Sequence, residues 1–142
     1  MAVRVVMDEK GLYDLLESPT GPVGKDLLRR TLNVEARAVE LCPVDEGALR
    51  ADIHHVIERD DEGLVGKVGV NKRYGVHVER GTGLFEETIP GVPASKSKGQ
   101  RITAKDGGML RFEVDGKVIY RRSIKGMRPQ PFLRPALDAA DD

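Results

Sequence analysis

The sequence predicts an α+β fold: one long helix packed on a small antiparallel sheet, with a long basic loop or hairpin arm and a short C-terminal helix. Three observations carry that expectation. Residues 22–42 hold a single apolar stripe at helical spacing. Residues 53–70 and 109–124 read as strand pairs around Asp/Gly turn clusters. The helical patterns come early and the hairpins later, the order of an α+β chain and not of an alternating βαβ one. A length of 142 residues suits one domain. That domain is expected over 1–142, with 83–108 as an extended loop or arm within it.

Taken in order, Val3-Arg4-Val5-Val6 reads as a short strand. Asp8 then caps a short helix whose Leu12, Leu15 and Leu16 follow the i, i+3, i+4 rule. Ser18-Pro19-Thr20-Gly21 breaks it, and Pro22 suits a new helix start, where its missing N–H costs nothing. In the long helix, Val23, Leu27, Thr31, Val34, Ala38 and Leu41 form the stripe, while Lys25, Arg29, Arg30, Glu35, Arg37 and Glu40 lie off it. Pro43 ends it. At 1.5 Å per residue the rod is about 30 Å long, enough to span one face of a small sheet.

Asp45 is the expected N-cap of one or two further turns. "IHHVIE" and "LVGKVGV" then read as strands around Asp60-Asp61-Glu62-Gly63, with Gly66 and Gly69 marking a bulge or close packing against the long helix. Tyr74, His77, Val78 and Gly81 are spaced as a short helix, which Gly81 ends in the left-handed conformation. Residues 83–108 hold five glycines, four basic side chains and no periodicity, so they read as a functional loop or an arm without its own core.

"MLRFEVDGKVIYRRSI" reads as a hairpin. A three-residue loop, Asp115-Gly116-Lys117, would keep Leu110, Phe112 and Val114 on one face with Val118 and Tyr120. A two-residue Asp-Gly turn would split them. The longer loop is the expectation. One or two helical turns from Phe132 and a fraying acidic tail close the chain.

Composition narrows the classes. Hydrophobic residues make up 39% and aromatics only 4%, with no Trp, so the core must come from Val, Leu, Ile and Ala. No apolar run reaches the 18 residues of a membrane span, and the start lacks signal-peptide features. The single Cys42 allows no internal disulfide, so a cytoplasmic product is expected. Net charge is zero but polarised: residues 1–71 carry −5, residues 72–142 carry +5, and 96–134 alone carry +8. Such polarity suits an anionic partner or contact between copies of the chain.

Catalytic chemistry is mostly missing from the pattern. His54 and His55 are adjacent on a strand and point to opposite faces. His77 and Cys42 have no partner at a zinc spacing, and Cys42 on the apolar side of the helix reads as a core thiol. The acids at 58–62 lack calcium-loop alternation. "ERGTG" is not a phosphate cradle, because cradles precede a helix and this one follows it. No catalytic, cofactor or metal residues are assigned, and no enzyme is expected.

Three stretches read together are more specific. "CPVDEGALRADI" (42–53), "YGVHVERGT" (74–82) and "RPQPFLRPAL" (128–137) resemble, in this order, signatures of the head–tail joining (tail-completion or neck) proteins of long-tailed phages. The resemblance runs from about Val23 to Ala139. It maps Pro43, Val44, Asp45, Gly47, Leu49 and Arg50 to the turn after the long helix. Tyr74, Val78, Glu79, Gly81 and Thr82 match the middle signature, and Pro131, Phe132, Leu133, Pro135, Ala136 and Leu137 the closing one. Glu46, Asp52 and Arg80 depart from it: the first two stand where Thr and Ser are common, the third where an aromatic is. Arg80 is therefore either exposed here or paired with an acidic neighbour.

The resemblance implies a homo-oligomeric ring, most often six copies, between head connector and tail terminator or tube. DNA passes through its lumen without sequence readout. It also implies a virion location after assembly in the host cytoplasm, and no membrane partner. A ring needs one patch to meet a different patch on the next copy, and acidic and basic halves would supply such a pair. Arg121 and Arg122 in the basic hairpin are the interface candidates on that account. A tail terminator, a small nucleic-acid-binding module using the +8 segment with only Phe112, Tyr120 and Phe132 as stacking platforms, and a small hydrolase using Glu79, His77 and the acidic turn stay open.

Overall fold

The computed structural model describes residues 2–141, and over these the chain is α+β. In chain order the helices are α1 (Glu9–Leu16), α2 (Pro22–Leu41), α3 (Ala48–Ala51), α4 (Gly75–Arg80) and α5 (Leu133–Asp138). The strands are β1 (Ile53–Asp60), β2 (Gly63–Val70), β3 (Ile102–Thr103), β4 (Leu110–Val114), β5 (Lys117–Arg121) and β6 (Ser123–Ile124). They form three antiparallel ladders, β1–β2, β3–β6 and β4–β5. The chain divides into two compact units, Met1–Asn71 with Phe132–Asp142, and Lys72–Pro131.

The first unit is the long helix on its sheet. Pro22 sits in the first turn of α2, and Gly21 precedes it in extended conformation. The middle of the predicted stripe is buried (Thr31, Val34, Ala38), but its ends are not: Val23 and Leu41 are 41% and 47% exposed. Cover at the two ends comes instead at Gly24, packed on Ser18 and Pro19, and at Cys42, 4% exposed. The Thr31 hydroxyl satisfies itself by donating to the Leu27 carbonyl at 2.8 Å. It lies so close to β2 that a side chain at Gly66 would collide with it. Close packing, and not a bulge, therefore explains that glycine, because the β1–β2 register runs unbroken from Ile53↔Val70 to Asp60↔Gly63. Gly69 meets nothing, and its presence has no packing reason.

The turn of this hairpin is closed by Asp60, whose carboxylate accepts from the backbone N–H groups of Glu62 and Gly63. His55 Nδ1 lies 2.7 Å from the Glu35 carboxylate, joining β1 to α2. Cys42, Leu49, Ile53, Phe132 and Ala136 complete the core with Val34 and Ala38. Phe132 is its one large side chain wholly out of water among the described residues.

The helix orientation gives a direct test. Val34→Ala should destabilise by about 1–3 kcal/mol through lost burial and an unfilled cavity. Arg37, exposed and 3.5 Å from Glu40, should tolerate Ala within about 0.5 kcal/mol. Equal urea midpoints for both variants would contradict this packing.

Three local expectations are corrected. No strand forms at Val3–Val6: a strand exists only through its ladder, and no strand lies beside this segment among the described residues. Asp45 does not cap α3. The N-cap is Gly47, at φ 81° and ψ −4°, because the chain must reverse sharply after Pro43 and a left-handed residue does so. In the second unit, Val114 pairs with Lys117 and Phe112 with Ile119, so the β4–β5 turn has two residues, not three. Asp115 (φ 51°) and Gly116 (φ 73°) both take the positive φ that such a tight hairpin turn requires. Val118 and Tyr120 thus lie opposite Glu113 and Arg111, away from the Phe112 face. Finally, the acidic tail continues as a 3₁₀ turn over Ala139–Asp141, while Asp142 and Met1 lie outside the described residues.

The segment 83–108 is not uniformly irregular. It opens with a 3₁₀ turn at Gly83–Phe85, and β3 near its end pairs with β6.

Candidate functional site

The middle signature occupies α4 and the turn after it, within the second unit. Gly75, Glu79 and Arg80 are buried on this helix, while Tyr74 at its start is 45% exposed. Gly81 does not end it in the left-handed conformation: its φ is 77° but its ψ is −176°, a region open essentially to glycine alone. The reason is a backbone crossing. Thr82 N donates to the Met127 carbonyl and Leu84 N to that of Lys125, both at 2.9 Å. Met127 N donates to Thr82 Oγ1, and Gln130 N to the Val78 carbonyl, again at 2.9 Å. A Cβ on Gly81 would lie 2.8 Å from the Met127 carbonyl oxygen and 2.8 Å from Pro129 N, and one on Gly126 would strike Thr82. "GTG" is thus where the chain after α4 lies backbone to backbone on residues 125–130.

Arg80 is the second feature of this site. It is 4% exposed, donates to the Pro93 carbonyl, and sets its Nε 3.5 Å from Glu86 Oε1. Of the two sequence alternatives for Arg80, pairing with an acid is the one realised. The Glu86 side chain is 0% exposed and accepts from both the backbone N–H and the hydroxyl of Ser95. Glu87 N donates to the Arg80 carbonyl at 2.8 Å. This polar cluster pins residues 86–95 onto α4, in a stretch whose apolar side chains are only half-buried or exposed. The pin was invisible in the sequence, since nothing in "FEETIPGVPAS" marks Glu86 above Glu87.

Burial pushes the Glu86 carboxyl upward, but the Ser95 hydrogen bonds, with Arg80 and Lys98 nearby, outweigh it and hold it below the usual carboxylate range. A depressed carboxylate stabilises fully above its unfolded value of about 4.3, and that contribution is lost as pH falls toward the folded value. Acidification below about pH 4 should therefore loosen 86–95. Hydrogen exchange of the Ser95 amide, faster in acid than intrinsic chemistry allows, would register it; unchanged protection down to pH 2.5 would contradict it.

The other two signatures lie elsewhere. Pro43 follows α2, Asp45 and Arg50 are exposed, and Leu49 (6% exposed) plugs the first unit's core. Burial raises the Cys42 thiol, with Arg50 opposing, which fits a core thiol. In the closing stretch Pro131 belongs to the second unit. Phe132, Leu133 and Pro135 belong to the first, with Pro135 in the first turn of α5, where helix N–H groups lack intrahelical partners. Arg121 and Arg122 are both exposed.

Among the described residues no three His, Cys, Asp or Glu side chains gather as a metal site, and no helix is long and apolar enough to cross a membrane. The acidic turn is absorbed structurally: Asp60 closes the hairpin and Glu58 pairs with Lys67. His77 Nδ1 is buried without a hydrogen-bond partner. Comparison with known proteins finds no matching family, no matching curated sequence and no matching solved structure.

Proposed function

We propose that the chain is a structural protein of the phage neck, which joins head connector to tail as a homo-oligomeric ring around the DNA channel and carries no catalytic centre. The observation that carries this reading is the ordered occurrence of the three signature stretches at 42–53, 74–82 and 128–137. The structural use of those residues supports it. Leu49, Phe132 and Ala136 build one core, while Gly81 and Thr82 make a backbone crossing and Arg80 a buried pin. Motifs spent on architecture suit a scaffold better than an enzyme. A tail terminator capping the tube is the nearest alternative. A single-strand nucleic-acid module is disfavoured, because Phe132 is wholly buried and Phe112 faces Ile119, leaving Tyr120 alone as an exposed stacking ring among the three.

The test is the mass of the assembled particle by native mass spectrometry, with negative-stain images for a ring. A monomer at all concentrations would end this reading. The exposed arginines refine the test. Arg121→Glu with Arg122→Glu should shift the particle toward monomer, because a reversal replaces attraction by repulsion at every interface of a closed ring. Each exposed pair contributes only about 0–1 kcal/mol, so raised salt should partly restore assembly. Light scattering at low and high salt checks this; an intact particle at both would remove charge complementarity from the argument.

A further inference from the structure

The first unit has a place for a strand that its own fold leaves empty. Helices α2 and α5 pack side by side, which sets their axes roughly 8–10 Å apart. The sheet beneath is only β1 and β2, one inter-strand spacing of about 4.8 Å. The helical layer is therefore wider than the sheet it covers. The difference is a groove of about 460 Å³ lined by Leu27, Thr31 and Val34 of α2, by Leu133 and Leu137 of α5, and by β2. Gly66, Lys67 and Val68 all line it. Three consecutive residues cannot do so through side chains on one face, since these alternate. The groove thus runs along the free edge of β2, whose outward N–H and C=O groups pair with no strand among the described residues.

The same chain holds a segment with the opposite lack. Val3, Val5, Val6 and Met7 are 84%, 87%, 76% and 71% exposed and touch no ladder. Their composition is that of a strand, and in extended form Val3, Val5 and Met7 share one face with Arg4 on the other. We propose that residues 3–7 of a second copy of this chain add to the edge of β2 as a third strand. Val3, Val5 and Met7 enter the groove onto α2 and α5, and Arg4 turns outward. Main-chain pairing would supply the attraction and the alternating side chains the register. A small ligand fits less well: the groove is an open slot, and its basic rim is partly engaged already, Arg30 by Asp26 and Lys67 by Glu58. The inference rests on the reading that copies of the chain assemble, and it adds how they are tied.

The experiment uses the full chain with Cys42→Ala as background. One variant carries Arg4→Cys, another Lys67→Cys, both on the outward face of the proposed three-stranded sheet, and the two are mixed and oxidised. A covalent heterodimer formed in the mixture, with neither variant alone giving the same yield, is the expected result. Removing residues 2–7 should then lower the assembled fraction at least tenfold by light scattering while circular dichroism stays unchanged. A particle that assembles normally without residues 2–7 and gives no cross-link overturns the inference and leaves the assembly reading intact. A chain that stays monomeric overturns both. An Arg4→Cys/Lys67→Cys double variant that closes only within itself would show the strand to be its own, and would overturn the exchange.

Discussion

Phe132→Ala is expected to remove about 3–5 kcal/mol of stability, the largest single loss in the first unit. The argument is one of scale. Its core contains Val34, Ala38, Cys42, Leu49, Ile53 and Ala136, all aliphatic or small, and Phe132 alone among the described residues is both large and wholly buried. Ala38 and Ala136, each at 0% exposure, cannot expand to fill the space a lost ring leaves, because their backbones are fixed in α2 and α5. Collapse would have to come from the helices moving together, so most of the cavity should remain. Phe132→Leu should recover more than half of the loss, since it restores most of the volume. Val44→Ala, at a position 59% exposed, should stay within about 0.5 kcal/mol as the control. Urea midpoints with unchanged slopes read the difference. A Phe132→Ala variant as stable as the control would mean that this core is assigned to the wrong side chains.

What could be read in advance follows the range of the forces involved. The α2 stripe, the Asp8 cap, the Pro22 start and the β1–β2 turn depend on neighbours within four residues, and the pattern displayed them. The failures share the opposite property. Residues 3–6 have the composition of a strand, but a strand needs a partner, and no ladder includes them. At the β4–β5 turn apolar alternation favours the longer loop, and the chain takes the shorter one. The Asp115-Gly116 pair overrides the alternation, leaving Tyr120 58% exposed on the outer face. Such exposure is tolerable on a two-stranded ribbon with no buried residue on either strand. Among the candidate site residues, Gly81 was legible as a chain terminator but not as a crossing. The segment it crosses, 125–130, lies more than forty residues away. Arg80 was legible only as a departure, with its acidic partner left open.

That departure gives the second large effect. Arg80→Met should destabilise the second unit by about 3 kcal/mol, the lower end of the range for breaking a buried ion pair. Two losses combine: the Pro93 carbonyl loses its donor, and the Glu86 carboxylate loses its nearest cation while staying closed from water. The lower end applies because Ser95 still donates twice to Glu86. Adding Glu86→Gln to Arg80→Met should cost less than the sum of the two single changes, by about 0.5–3 kcal/mol, since a neutral amide no longer needs the guanidinium. An Arg80→Lys variant should not rescue, because a point charge cannot both reach the Pro93 carbonyl and face Glu86 as the planar fork does. Hydrogen exchange gives the local readout: the Ser95 and Glu87 amides, which bond to Glu86 and to the Arg80 carbonyl, should lose protection before those of β1 and β2. Additive single and double effects, with Ser95 protected as in the parent, would show that Arg80 and Glu86 are buried side by side without holding the 86–95 loop.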